Sequence, residues 1–194
     1  MNGLVLEAQA SLDEAASANA IIVGSGIKTL ELVADAALMK SLHLDPSRQL
    51  IGAQCSGTLV LAKLGLLNGI PACTDLATKQ WVEEAGVAVL NKPFVASGNV
   101  ATAGGCLASQ YLSAWLISRL VGIEAAHSAL QYVAPVGEKG EYVYVQCSRS
   151  LRSLHDEQLA CGARQAHADF RQARAAIGGM THRPQEWLER CNQK

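Results

Sequence analysis

No two of the six cysteines form a Cys-x-x-Cys pair; they stand at positions 55, 73, 106, 147, 161 and 191. That spacing excludes a zinc ribbon and a thioredoxin-type motif. Nor is the chain short and cysteine-dense, as disulfide-stapled secreted domains are, so the thiols are expected to be reduced and the protein cytoplasmic. An excess of charge of one sign is also missing. Sixteen Lys and Arg against 17 Asp and Glu give a formal net charge of −1, which offers no long-range attraction for nucleic acid or an anionic membrane. No apolar run approaches the ~20 residues that span a bilayer, and residues 1–7 have neither the basic start nor the long apolar stretch of a secretory signal. Metal-binding histidine pairs at helical i, i+4 spacing are absent: His155 and His167 fall on one expected helix but too far apart, so no metal is expected. Gly24-Ser25-Gly26 is too short to cradle a phosphate, which argues against a nucleotide cofactor; no cofactor of any kind is expected. Neither an internal repeat nor a low-complexity linker is present.

What is present is 194 residues with 49% apolar content, enough for one α/β domain with a sizeable core. The chain is organised around Ile51-Gly52-Ala53-Gln54-Cys55-Ser56-Gly57-Thr58. The apolar run Gln49–Ala53 predicts a short buried strand, and Thr58–Leu64 predicts a helix stopped at Gly65 or Asn68-Gly69. Cys55 falls between them, flanked by small residues that suit a sharp turn, the logic of a nucleophile elbow. The free N–H groups and positive dipole end of the following helix favour a thiolate. The alternative reading of Cys55 is a small buried hydrophobe.

Strands and helices alternate around this unit, which predicts a doubly wound parallel sheet with ligands at the carboxyl ends of its strands, where Gly26, Cys55 and Asp75 fall. Ser11-Leu12-Asp13-Glu14 is a capping box. Ala20–Val23 is a continuous apolar strand expected to be buried on both faces. One amphipathic helix is expected over 28–42, strands at Pro71–Thr74, Val87–Leu90 and Phe94–Ser97, and a helix over Ala77–Glu84 between them. Val100–Ala103 leads into a long helix from Cys106 to Val121, followed by a helix over Ile123–Ala134 and a strand at Tyr142–Val145. Beyond residue 147 the chain turns rich in Ala, Arg, Gln and His, which divides it into a domain over 1–147 and a helical extension over 148–194, with helices at Ser153–Ala176 and from Arg183. That extension reads as a partner-packing or solvated face, with no helix-turn-helix.

Four segments carry a family resemblance. Ala53-Gln54-Cys55-Ser56-Gly57 with the following Leu59–Ala62 and Gly65–Gly69, Ala20–Gly26, Ala72-Cys73-Thr74-Asp75, and Gly98–Gly105 opening a helix resemble, in order, motifs of the ThiJ/PfpI superfamily, whose fold is that of class I glutamine amidotransferases. The resemblance covers residues 10 to 146. It implies a flavodoxin-like parallel sheet sandwiched by helices, with extra C-terminal helices here. It also implies a cysteine nucleophile at Cys55 and backbone N–H donors at Gly26 and Ser56 facing a developing oxyanion. Two features depart from the family pattern. Asp75 stands where the family has its histidine; it is a second candidate catalytic residue, or else a helix N-cap. The family's opening strand–helix–strand, which carries the acid, has no counterpart ahead of Leu4. A sheet without that strand has an open edge, so a homodimer is expected. Of the histidines, His43 suits a helix C-terminus, His127 a helix surface or core position, and His182 a loop.

The resemblance implies a cysteine-dependent enzyme acting on a small electrophile, as a hydrolase, hydratase or glyoxalase-type lyase, with a place in the stress response. Two other functions stay open: a non-catalytic ligand-sensing domain of amidase-like type, and a redox sensor in which Cys55 forms a sulfenic acid.

Overall fold

A computed structural model of the chain describes residues 5–150. Four strands form one sheet: β1 (Ala20–Val23), β2 (Leu50–Gln54), β3 (Phe94–Ser97) and β4 (Val100–Ala103), in the order β1-β2-β4-β3. β1, β2 and β4 are parallel, with Ile21 opposite Ile51 and Ile51 opposite Val100. β3 is antiparallel to β4, because the tight turn at Gly98–Asn99 folds it straight back. The sheet is therefore mixed rather than wholly parallel, and it is flanked by helices as an α/β fold requires.

Alternation along β2 builds the two layers. Ile51 and Ala53 face one side, where they join Leu59, Leu61 and Ala62 of α4 (Gly57–Lys63) and Val82 of α5 (Lys79–Glu84) in one core. Leu50 faces the other side with Ala101 and Ala103 of β4, against Tyr111, Leu112, Trp115 and Leu116 of α6 (Ser109–Leu120). Leu59, Leu61 and Trp115 are fully buried. A short α1 (Leu12–Ala15) precedes β1, and its capping box forms as expected: Glu14 N–H donates to Ser11 Oγ and Ser11 N–H to the Glu14 carboxylate.

Several expected elements differ. The single helix over 28–42 is two, α2 (Thr29–Ala34) and α3 (Ala36–Ser41), because extended Asp35 ends the first and its carboxylate accepts the N–H groups of Ala37 and Leu38 to cap the second. The strands at 71–74 and 87–90 shrink to one parallel bridge, Ala72 with Val89. Pro71 has no N–H to give, and the Cys73 N–H goes sideways to Thr102 Oγ1 at 2.8 Å instead of along a ladder. Helix α5 starts at Lys79, not Ala77, and a 3₁₀ turn over Cys106–Ala108 precedes α6.

The largest difference lies at 142–145. Tyr-Val-Tyr-Val alternates like a strand, yet it belongs to helix α8 (Lys139–Ser150). Val143, Gln146, Cys147 and Ser150 are its buried residues, a helical spacing, and α8 packs on α6 and on α7 (Ile123–Val133). A four-residue window is too short for period two to be told from a helix face. Arg149 fixes the contact, donating to the Tyr111 hydroxyl at 2.8 Å. Helices α7 and α8 follow α6 at the C-terminal end of the described residues; α8 runs across the 147/148 position, and the extra helices expected from Ser153 onward lie outside the described residues. No helix among the described residues is long and apolar enough to cross a membrane.

Candidate active site

Cys55 ends β2 in left-handed backbone, φ 49°, the one non-glycine residue with positive φ among the described residues. Such a conformation costs about 1–3 kcal/mol and persists where its surroundings fix it. Here they do. Cys55 N–H donates to Ala103 O at 2.8 Å, and Cys55 O accepts from Thr74 Oγ1 at 2.9 Å and from Thr58 N–H at 3.1 Å. Two close approaches press the turn into place. A Cβ on Gly57 would lie 2.3 Å from Val23 O, and one on Gly104 would lie 2.5 Å from Thr74 O. Only glycine lets α4 start that close to the end of β1, and the β4 exit that close to the loop after Cys73.

Cys55 is 5% exposed. Gln54 Nε2 donates to its sulfur at 3.3 Å and to Gly105 O at 2.6 Å, while Gln54 Oε1 is buried with no partner among the described residues. The expectation of a lowered thiol pKa is not met: burial pushes the Cys55 thiol up, and the charges of Cys106 and Asp75 push the same way. The hydrogen bonds from Gln54 and from the Gly105 N–H oppose the rise without cancelling it. Desolvation outweighs these donors because Cys55 is buried. Cys73 and Cys147, buried without such donors, are pushed further, each to about 11. Cys106 is exposed.

Asp75 lies just beyond Thr74, near enough for its charge to act on Cys55. Its Oδ1 accepts the Thr78 N–H at 2.9 Å, so the carboxylate does cap a turn ahead of α5; its Oδ2 is buried and has no partner among the described residues. Beside it opens a cleft of about 890 Å³, lined in part by Thr74, Asp75, Asn91, Lys92 and Gly105. Asp75 and Gly105 thus belong both to the cleft wall and to the surroundings of the thiol.

The first loop is tied to the elbow through Ser56. Gly26 N–H donates to Ser56 Oγ at 3.1 Å, Thr29 Oγ1 donates to Gly26 O at 2.7 Å, and the Thr29 and Ser56 hydroxyls lie 2.9 Å apart. The Gly26 N–H is therefore held by a side chain of the elbow. Ser56 N–H, ahead of the first turn of α4, has no intrahelical acceptor. No group of three or more His, Cys, Asp or Glu among the described residues is placed to hold a metal ion. His43 follows α3 and His127 lies on α7, which packs on α6 and α8; His155, His167 and His182 lie outside the described residues.

Sequence reading missed Gln54 and Thr102. A polar residue closing an otherwise apolar strand was the available signal for Gln54. Thr102 had none, since threonine is an ordinary strand residue.

A mixed α/β sheet with a strained cysteine at the strand-to-helix turn of a central strand defines the class of cysteine-elbow α/β proteins. The chain belongs to the DJ-1/PfpI family, whose family model matches residues 1–118. Solved structures show the same fold at low identity. Drosophila melanogaster DJ-1beta is 21% identical, with a TM-score of 0.55 over 63% of this chain and 68% of that one. A ThiJ/PfpI family protein from Pseudomonas syringae is 20% identical, with a TM-score of 0.52 over 77% and 64%. The C103A mutant of the DJ-1 superfamily protein STM1931 from Salmonella typhimurium is 23% identical, with a TM-score of 0.53 over 63% and 68%. The chain spans just under two thirds of the length of several solved structures it matches. No curated protein matches it.

Proposed function

We propose that the protein is a cysteine-dependent enzyme acting on a small, strongly electrophilic substrate, a reactive carbonyl or an isonitrile. Cys55 is the nucleophile and Asp75 the proton carrier. The observation that carries this reading is the unpartnered, buried Oδ2 of Asp75, a residue that lines the cleft and whose charge acts on the thiol. As the sulfur adds to the electrophilic carbon, the thiol proton passes to the carboxylate and returns to the substrate atom that receives the electron pair. Gln54 and the Gly105 N–H hold the sulfur in line, and Ser56 N–H is the oxyanion donor. Gly26 supports that donor indirectly, through its bond to the Ser56 hydroxyl. Carboxylates are weaker bases than imidazole, and burial holds the thiol protonated. Both favour reactive carbonyls over amides, so hydrolysis of peptides is not expected.

The protein works in the cytoplasm as a homodimer, in which a second copy covers the outer edge of β1; it needs no metal or cofactor and has no nucleic-acid or membrane partner. Light scattering tests the assembly, and a monomer at micromolar concentration overturns it.

Turnover of a 2-oxoaldehyde and of an alkyl isonitrile, followed by substrate loss, tests the reaction. The expected result is turnover abolished by Cys55→Ala and reduced more than tenfold by Asp75→Asn. Absence of turnover, with either compound raising the melting temperature, establishes the second reading, a ligand-sensing domain. That reading is favoured by the aspartate at the family's histidine position.

A further inference from the structure

Cys106 stands next to the elbow without belonging to it. Gln54 pairs with Ala103 across β2 and β4, and the Cys55 N–H continues that ladder to Ala103 O at 2.8 Å. Cys55 therefore lies beside the Gly104–Gly105 joint. One amide nitrogen, Gln54 Nε2, touches both the Cys55 sulfur and Gly105 O, the carbonyl whose carbon is bonded to the Cys106 nitrogen. The Gly105 N–H also reaches the sulfur. Cys106 opens a 3₁₀ turn, whose hydrogen-bond geometry is poorer than that of the α-helix behind it. Space beside the joint is open: a Cβ on Gly105 would meet nothing within 4 Å. Two free thiols, one buried and one exposed, are thus linked through Gln54 and the Gly105–Cys106 peptide.

We propose that Cys55 and Cys106 are a redox pair that closes to a disulfide when a hydroperoxide reacts at the elbow, with Cys55 oxidised first and Cys106 resolving it. The donors at Gln54 and Gly105 converge on the Cys55 sulfur, where negative charge is carried during attack on the peroxide. The sulfur forms a bond to the terminal peroxide oxygen, the O–O bond breaks, and the departing oxygen takes a proton and leaves as an alcohol or water. Cys55 is then a sulfenic acid. Cys106 sulfur attacks Cys55 sulfur, the S–O bond breaks, and the hydroxide takes the Cys106 proton and leaves as water. Two electrons pass from the two sulfurs to the peroxide. The disulfide withdraws Cys55 from any other chemistry, and a dithiol reductant restores it. This pair goes beyond the electrophile reading and does not depend on turnover of any substrate.

The test uses the full chain treated with equimolar hydrogen peroxide, alkylated, and mapped by mass spectrometry without reduction. The expected product is a linked Cys55–Cys106 peptide that disappears with dithiothreitol. Cys106→Ser, an exposed substitution whose folding is checked by circular dichroism, leaves Cys55 trappable by dimedone and, with excess peroxide, oxidised to sulfinic acid. Cys55→Ser leaves Cys106 unoxidised. Wild-type Cys55 advancing to sulfinic acid while Cys106 stays alkylatable overturns the proposal. So does Cys106 linked to another cysteine or another chain, or a Cys55 that does not react.

Discussion

β1 and β2 are similar in sequence and different in fate. Ala-Ile-Ile-Val and Leu-Ile-Gly-Ala-Gln are both apolar runs, and both predict strands with two covered faces. β2 fulfils this: Leu50, Ile51, Gly52 and Ala53 are all buried between α4 and α6. β1 does not. It pairs on one side only, none of its residues is fully buried, and Ile22 is 53% exposed. An apolar run reports that a strand tolerates burial; its place in the sheet decides how much burial it receives. The strained cysteine follows the strand that is covered on both faces, because a residue in left-handed backbone needs neighbours that cannot yield.

The contrast can be broken by mutation, and the largest effect is expected at its centre. Leu59→Ala removes a fully buried side chain from the α4 core and should cost ~2–5 kcal/mol, read as a fall in the urea midpoint. A loss below ~1 kcal/mol would mean that the centre is no better packed than the edge. Next comes alkaline pH. Burial raises the Cys73 thiol to about 11 from 9.0. Its contribution is therefore complete below pH 9 and lost as pH rises through 11. Two units correspond to ~3 kcal/mol, and Cys73→Ala should flatten this part of the stability–pH curve. Third, Thr102→Val leaves the buried Cys73 N–H without its acceptor and should cost ~1–3 kcal/mol.

Smaller effects sharpen the comparison at the thiol itself. Gln54→Leu removes a donor and should slow alkylation of Cys55 at pH 8. Asp75→Asn removes a repelling charge and should speed it by less, since Asp75 acts on the thiol more weakly than Gln54. Cys106, being exposed, should be alkylated ahead of Cys55. The smallest effect belongs to the edge: Ile22→Thr should change stability by no more than ~0.5 kcal/mol in the isolated protomer.

The elbow was legible in the sequence because its constraints are local and written in small residues. Gly57, two residues after Cys55, is a signal that a short-range pattern carries. The family resemblance was legible for the same reason, since its motifs are strand-to-helix joints. What escaped reading depends on partners far along the chain. The split of the helix at Asp35 was readable in principle, as an aspartate that caps the following turn. The loss of the strand at 71–74 was not, since it follows from Thr102 Oγ1 capturing the Cys73 N–H. The protonated state of Cys55 was misjudged because the dipole argument used only the helix that follows it. The depth at which the sulfur lies is set by β4 and the loop after Cys73, which no local window contains.

The bond from Cys55 N–H to Ala103 O has a consequence for the order in which the protein is made. β2 and α4 leave the ribosome before α5, the β3 arm and β4, so during that interval the bond from β4 that helps hold Cys55 in left-handed backbone is missing. Its thiol is then solvated and unstrained, an ordinary cysteine in a nascent chain. Docking of β4 installs the strain and the burial together, along with the Gln54 bridge to Gly105. The distinctive environment of this cysteine begins as a late event in folding, timed by the synthesis of a strand that follows it in the chain.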